Sequence, residues 1–356
     1  MLFGQRPIRL FTVLFLTVAV LALLAVACGD DEEAAPRTGT PTGPRQVISF
    51  DMPWAQYGLI SSSIPHAVAL EKGFFEQEGL KPNFVPTRGG GDTLQALLST
   101  NAPMAIISPG IAISAIEQGQ KLKLVWQSNR GGVVEGQGFT FCVKNSSPIR
   151  SPKDLKGKSI AFTRPGANSE LFAKHMVREA GLDPDKDVRL VAAGGLPEGL
   201  TLMDQGAVDV ATCAPEILAA LKRSAGEWRN IWEAQDDFPG FVEVWLAVKE
   251  DALTRNPELV KSYLRAIRNA VDWMDKNKDS EELVQLSAKL LRIPPEQIDA
   301  LRARLKEYAS AGFKKVFPIE FLDDALRSSV QVAVLTGELK EVPQDLSRYI
   351  DKRQIP

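Results

Sequence analysis

The sequence predicts an α/β protein of two lobes with a helical C-terminal part, and three observations carry that reading. From Gln46 onward short β-rich runs alternate with helical periods, the pattern of strands joined through helical crossovers. A second unit of roughly a hundred residues, about the usual size of a domain, repeats this alternation from residue 138. Past Pro239-Gly240 and one further strand, the chain reads as helix nearly to its end.

The elements follow in order. Val47–Phe50 is the first strand, and Ser63 stands where a cap should for a helix over Ile64–Lys72, with Pro65 in its first turn and Gly73 closing it. Phe84–Pro86 reads as strand, Thr93–Ser99 as helix after the Gly89–Asp92 turn, Met104–Ile107 as strand, Ile111–Gln118 as helix and Leu122–Gln127 as strand. The second unit gives strands at Phe139–Val143, Ser159–Phe162, Val188–Ala192, Val208–Thr212 and Arg229–Trp232. Helices intervene at Ser169–Ala180, Pro197–Gln205 and Pro215–Ser224. Phe241–Val248 is a strand, and helices follow over 256–275 and near 280–291, 295–310 and 319–335. The expected lobes are 46–137 with 241–356, and an inserted 138–240, with Phe139–Val143 and Phe241–Val248 as the crossings between them. Two such sheets face a common cleft with strand C-terminal ends and helix N-termini, where ligands of open α/β sheets bind.

Residues 1–27 have the layout of a secretory signal. Arg6 and Arg9 precede an apolar run from Leu10 to Ala27, and Cys28 follows at once. Leu24-Ala-Val-Ala-Cys28 resembles a bacterial lipobox, in which Cys28 would carry the lipid after cleavage; Ala25 departs from the commoner leucine. An uncleaved run of this length would just span a bilayer. Either way the rest of the chain is expected outside the cytoplasm, anchored to the membrane. Residues 28–45, acidic and then rich in Pro, Gly and Thr, read as a flexible tether.

Composition excludes several functions. Lys and Arg number 42 against 44 acids, with no basic block, which argues against nucleic acid as a partner. The two histidines lie far apart, and no nucleotide-binding glycine loop, Gly-x-Ser-x-Gly or paired CxxC occurs, so no metal, cofactor or catalytic role is expected. Cys142 and Cys213 follow apolar runs and read as small buried hydrophobes; spacing alone leaves open whether they pair.

One run carries a resemblance. Ala67-Val-Ala-Leu-Glu-Lys-Gly-Phe-Phe-Glu-Gln-Glu-Gly-Leu80 is similar to a signature of the sulfonate/nitrate/taurine-type substrate-binding proteins of ABC importers, relatives of the thiamine-pyrimidine binding proteins. Asp154–Phe162 with Glu179–Asp183, and Asn256–Leu264, agree in the same order. The resemblance implies a type II periplasmic-binding-protein-like fold with two hinge strands. It also implies a monomer that captures a small molecule and hands it to an ABC permease. The lead ligand is a small anion or organic acid; an aromatic heterocycle, a ligand-sensing role and a pyrimidine-synthase-like enzyme are the alternatives. The cysteine cluster of the synthase branch is absent here.

Candidate ligand contacts sit at the strand-to-helix turns. Trp54 and Tyr57, in the loop after the first strand, could stack on a planar ligand, and His66 could hydrogen-bond one. Gly90, Gly91 and Thr93, with Arg88 beside them, bring free backbone N–H groups to a helix start that suits an anion. Ser108, and in the second unit Thr163, Arg164, Asn168 and Ser169, hold the equivalent turns, with Arg164 able to grip a charged group bidentately. Glu216 could accept from a ligand N–H. Each has a plainer reading as a core aromatic, a cap or a surface charge.

Overall fold

The prolines of one strand show how the first sheet is ordered. Strand β2 (Leu80–Thr87) carries Pro82 and Pro86, which donate no ladder hydrogen bond, and it lies at the sheet's edge. The computed structural model describes residues 47–356 apart from 56–60, 88–89, 135–138, 164–167, 214–226 and 243. Within it β2 pairs in parallel with β1 (Ile48–Ala55), and β1 with β3 (Met104–Ile107). The sheet is completed by β4 (Leu122–Gln127) and the antiparallel β10 (Trp245–Lys249), in the order β2-β1-β3-β10-β4. A second sheet, ordered β7-β6-β8-β5-β9, is drawn from β5 (Thr140–Lys144), β6 (Ser159–Phe162), β7 (Arg189–Ala192), β8 (Val210–Cys213) and β9 (Trp228–Glu233). In each sheet one strand runs against the rest, β10 in the first and β5 in the second.

The strand directions put the ends of β1 to β4 on one edge of the first sheet, and the ends of β6 to β9 on one edge of the second. Helices begin from those edges: α1 (Ile64–Glu71), α2 (Gly90–Ser99) and α3 (Pro109–Glu117) in the first, α4 (Asn168–Glu179) and α5 (Leu196–Asp204) in the second. Gly73, at φ 69, follows α1 in the left-handed conformation that glycine adopts without a Cβ penalty. The chain passes from the first sheet to the second between Gln127 and Thr140 and returns between Glu233 and Trp245.

The sequence expectations differ from this at a few borders. Strands β1 and β2 are longer than expected, because their prolines mask strand character in the sequence. Helix α2 starts at Gly90 rather than Thr93, which puts Asp92 within its first turn. The strand expected over Phe241–Val248 begins only at Trp245, and the helix expected at Pro215–Ser224 lies outside the described residues.

The C-terminal part is helical: α6 (Pro257–Lys276), α7 (Glu281–Leu291), α8 (Ile298–Ala311) and α9 (Asp323–Leu335). Helix α6 buries Val260, Tyr263, Leu264 and Ile267 in the large core that also holds Trp54, Phe75 and Trp126. Asn256 and Pro257 start it as the sequence suggests, and Ser280 caps α7 by accepting from Leu283 N. The segment before α9 is tied to the end of β4, where Trp126 Nε1 donates to Pro318 O at 2.8 Å and Gln127 Nε2 to Glu320 O at 2.6 Å. Helix α9 then serves both sheets. Its Ala325, Leu326, Val330 and Ala333 join the cluster beneath α3, while Val332 joins the cluster of Phe141, Phe172 and Trp232 beside the second sheet. Ser329 Oγ donates to Val242 O at 2.9 Å, which fastens α9 to the returning crossing.

Cys142 and Cys213 lie on the paired strands β5 and β8, with Cα atoms 6.0 Å apart, and their sulfurs meet as a disulfide. Arg229, on β9, donates to the carbonyls of Asn145, Ser147 and Ile149 and so gathers the loop that leaves β5. Among the described residues, no helix is long and apolar enough to cross a membrane.

Candidate functional site

The candidate residues fall into three groups according to what their neighbours make of them. Trp54, at the end of β1, is fully buried. Its ring stands edge-on to His66, with centroids 4.7 Å apart at 71°, and to Phe84 at 6.0 Å. His66 is buried as completely, within reach of Trp126 and Tyr263 at centroid distances of 6.1 and 5.9 Å. Its Nδ1 meets Ser62 O at 3.2 Å, whereas Nε2 has no hydrogen-bond partner among the described residues. In this dry setting the charged imidazolium is disfavoured, and burial lowers the pKa from 6.5 to about 3. The side chain is therefore neutral at physiological pH, and Trp54 and His66 together form an aromatic knot of the first core.

The second group consists of hydroxyl pairs across strand-to-helix turns. Thr87, ending β2, and Thr93, in the first turns of α2, bring their Oγ1 atoms to 2.5 Å. In the second sheet Thr163, just past β6, and Ser169, in the first turn of α4, repeat this spacing, with hydroxyl oxygens 2.7 Å apart. Thr163 N also donates to Ser169 Oγ at 3.0 Å, and Thr163 O accepts from Gly194 N at 2.8 Å. Both pairs thus lock a residue at a strand's end to one in the start of the following helix. Asn168 opens α4 and is partly exposed. Gly90 opens α2, where a Cβ would strike Ile111 in the first turn of α3, so two helix starts lie side by side. Gly91 faces open space.

The third group is the end of β3. Ser108 precedes α3 as its N-cap residue but makes no capping hydrogen bond with its side chain. The hydroxyl donates instead to Glu338 Oε2 at 2.8 Å. Glu338 comes from the turn after α9, where Gly337 at φ 74 reverses the chain and Leu339 N returns to Ala333 O at 3.0 Å. The carboxylate lies so close to Gly110 that a Cβ there would collide with it and with Ala333. Burial pushes the Glu338 carboxyl above the usual carboxylate range, partly offset by the Ser108 hydrogen bond.

Glu338 has no counterpart among the sequence-predicted residues. The one local signal is a glycine after an apolar helix, which announces a turn and says nothing of where the next side chain lands. Tyr57, Arg88, Arg164 and Glu216, and the lipidation candidate Cys28, lie outside the described residues. Among the described residues no cluster of His, Cys, Asp and Glu could hold a metal ion. The chemistry available here is that of hydrogen bonding, from helix starts and hydroxyls.

Comparison with known proteins places the fold. The nitrate/nitrite binding protein NrtA of Synechococcus elongatus is 23% identical over 312 residues, covering 76% of this chain and 67% of its own. The periplasmic aliphatic sulphonate binding protein SsuA of Escherichia coli superposes with a TM-score of 0.62 at 20% identity, over 86% of this chain and 91% of that one. The desulfurization enzyme DszB superposes with a TM-score of 0.60 at 16% identity, over 86% and 97%. At such identities the structural likeness establishes the fold, a periplasmic-binding-protein arrangement of two mixed sheets with a helical C-terminal part. Family membership rests on sequence. The match to the NMT1/THI5-like family runs over residues 61–280, and the chain belongs to that family.

Proposed function

We propose that this protein is the extracytoplasmic substrate-binding component of an ABC importer, lipid-anchored through Cys28, and that it takes a small anion or organic acid of the sulfonate, nitrate or taurine kind. The reading is carried by one observation: helix starts with hydroxyl or glycine residues stand at matching strand-end edges of two sheets. Such helix starts offer backbone N–H groups and the positive end of the helix dipole to an anion. NrtA and SsuA, named for nitrate/nitrite and aliphatic sulphonate, support the same ligand class. The two lobes are 46–137 with 241–356, and 138–240, and closure of one on the other would exclude solvent from the ligand. No chemical step is needed, since ligand binding favours the closed form and the permease reopens it.

An aromatic heterocycle is the second reading. It relies on Trp54, Tyr57 and His66, of which Trp54 and His66 are packed into the first core and Tyr57 lies outside the described residues. An enzyme on this fold is the third, as the name of DszB illustrates. Calorimetric titration of the purified protein with propane-1-sulfonate, nitrate and bicarbonate, beside a pyrimidine and a flavin, separates these readings. A ligand at a hundredfold excess over its Kd should stabilise the protein by about 2.7 kcal/mol. Binding of the pyrimidine or flavin alone sinks the anion assignment, and release of a converted product argues for the enzyme. For the anchor, Cys28→Ser should move the protein from the membrane fraction to the soluble one; unchanged partitioning would refute lipidation at that residue.

A further inference from the structure

We propose that Glu338 sets the charge selectivity of the ligand site, admitting ligands that carry a single anionic group and present a hydrogen-bond donor to the end of β3. This rests on the anion-binding reading above and names which anions it admits.

Helix α3 leaves the same sheet edge as α2, and the two starts touch where Gly90 meets Ile111. By its position the α3 start should offer an anion the backbone N–H groups of Gly110 and Ile111, Pro109 having none. A carboxylate from the far end of the chain already stands there. Glu338 Oε2 accepts from Ser108 Oγ at 2.8 Å, and the side chain lies against Gly110, the second residue of the helix. Ser108 makes no cap of its own, so its hydroxyl is committed to the acid. Ser108 is the one hydrogen-bond partner of Glu338 among the described residues, and no ion pair there neutralises the carboxylate.

The backbone makes room for this contact in both partners: Gly110 leaves space that any side chain would fill, and Gly337 turns the chain at φ 74. At the Thr163–Ser169 pair the oxygens are bonded to each other and to Thr163 N, and the acid in that helix's first turn, Glu170, is paired with Lys174 at 2.7 Å. Among the described residues the two helix starts therefore differ in that the acid at α3 has no cation beside it, whereas the acid at α4 has one. A ligand oxyanion is repelled at α3 and tolerated at α4, while a hydroxyl or other donor at α3 would find the second Glu338 oxygen as an acceptor. A dianion meets that carboxylate with one of its charged ends.

The test compares 2-hydroxyethanesulfonate with ethane-1,2-disulfonate, two probes of similar length that differ in charge at one end. Calorimetry on the wild-type protein should give the hydroxy acid an affinity at least about tenfold higher, the scale of a like-charge contact partly screened by water. Glu338→Gln keeps an acceptor for Ser108 and for a ligand hydroxyl while removing the charge. It should tighten disulfonate binding by about tenfold and leave hydroxyethanesulfonate within a few-fold. A merely structural Glu338 would change melting temperature without moving the ratio of the two affinities. An unchanged ratio in Glu338→Gln, with the wild type binding either probe, overturns the role of Glu338 alone. Absence of binding of these probes, propane-1-sulfonate and nitrate to both proteins overturns the anion reading together with it. Should Glu338→Gln fail to fold, Glu338→Ala reads the same ratio.

Discussion

Two strand ends of the first sheet each bury an ionisable side chain, and burial acts on them in opposite directions. At the end of β1, His66 sits among Trp54, Phe84, Trp126 and Tyr263, and its pKa falls to about 3. At the end of β3, Glu338 sits over the start of α3 with Ser108, and its pKa rises. The cause is shared, because removing water disfavours whichever form is charged. The difference lies in the partners. His66 has a single backbone acceptor in an aromatic shell, and as a neutral ring it costs little to bury. Glu338 has a hydroxyl donor and stands at a helix start, both of which suit a negative charge. A strand-end position alone therefore does not set how a buried side chain titrates; the polarity of its surroundings decides.

The largest expected effect separates the two by pH. The folded pKa of His66 lies below the unfolded value, so the unfolded state binds more protons between pH 6.5 and about 3. The contribution is fully present above pH 6.5 and is lost as pH falls toward 3, by up to roughly 5 kcal/mol. Glu338 gives the opposite slope. Its raised folded pKa makes its contribution complete below the ordinary carboxylate value of 4.5 and lost as pH rises through the raised one. Urea unfolding across this range should show His66→Leu flattening the acid limb and Glu338→Gln flattening the upper one. If both variants keep the wild-type profile, the contrast between the two strand ends is wrong.

Glycines sharpen the comparison next. Gly110→Ala should destabilise the protein by about 2 kcal/mol, since the added Cβ meets Glu338 and Ala333. Gly91→Ala, in a helix start facing open space, should instead stabilise by roughly 0.5 kcal/mol. Equal melting temperatures for the two variants would mean that the α3 start is not packed as described. Hydroxyl removal comes below Gly110→Ala in size. Ser169→Ala takes the acceptor from Thr163 N and should cost about 1 kcal/mol by denaturant unfolding. Ser108→Ala should cost about as much, and its penalty should shrink in a Glu338→Gln background, because the amide left behind is cheaper to bury than a carboxylate. Strict additivity of Ser108→Ala and Glu338→Gln would show that the two side chains do not act together.

Much of the element order was legible because it is local. Gly73 after an apolar period and Asn256-Pro257 before another mark helix ends through backbone conformations that neighbouring residues dictate. The alternation of strand and helix predicts two sheets, and the Ala67–Leu80 run carries the family. The hidden parts are those in which a distant residue overrides a local one. Pro82 and Pro86 argue against a strand unless it lies at an edge, and the edge position of β2 is a property of the whole sheet.

The candidate site divides along the same line. Residue type and the chain's own punctuation were enough to find the turns at Thr93, Ser108 and Thr163–Ser169, because a hydroxyl or glycine beside a helix start is a short-range pattern. Trp54 and His66 were legible as residues beside those turns, and their burial was not, since the aromatic shell closes with Tyr263 from α6, nearly two hundred residues on. Glu338 lies farther still from Ser108, 230 residues along the chain. Local backbone preference determines where a helix starts and stops. Tertiary packing determines which charges reach that start, because an electrostatic contact depends on distance in space and is indifferent to separation along the chain.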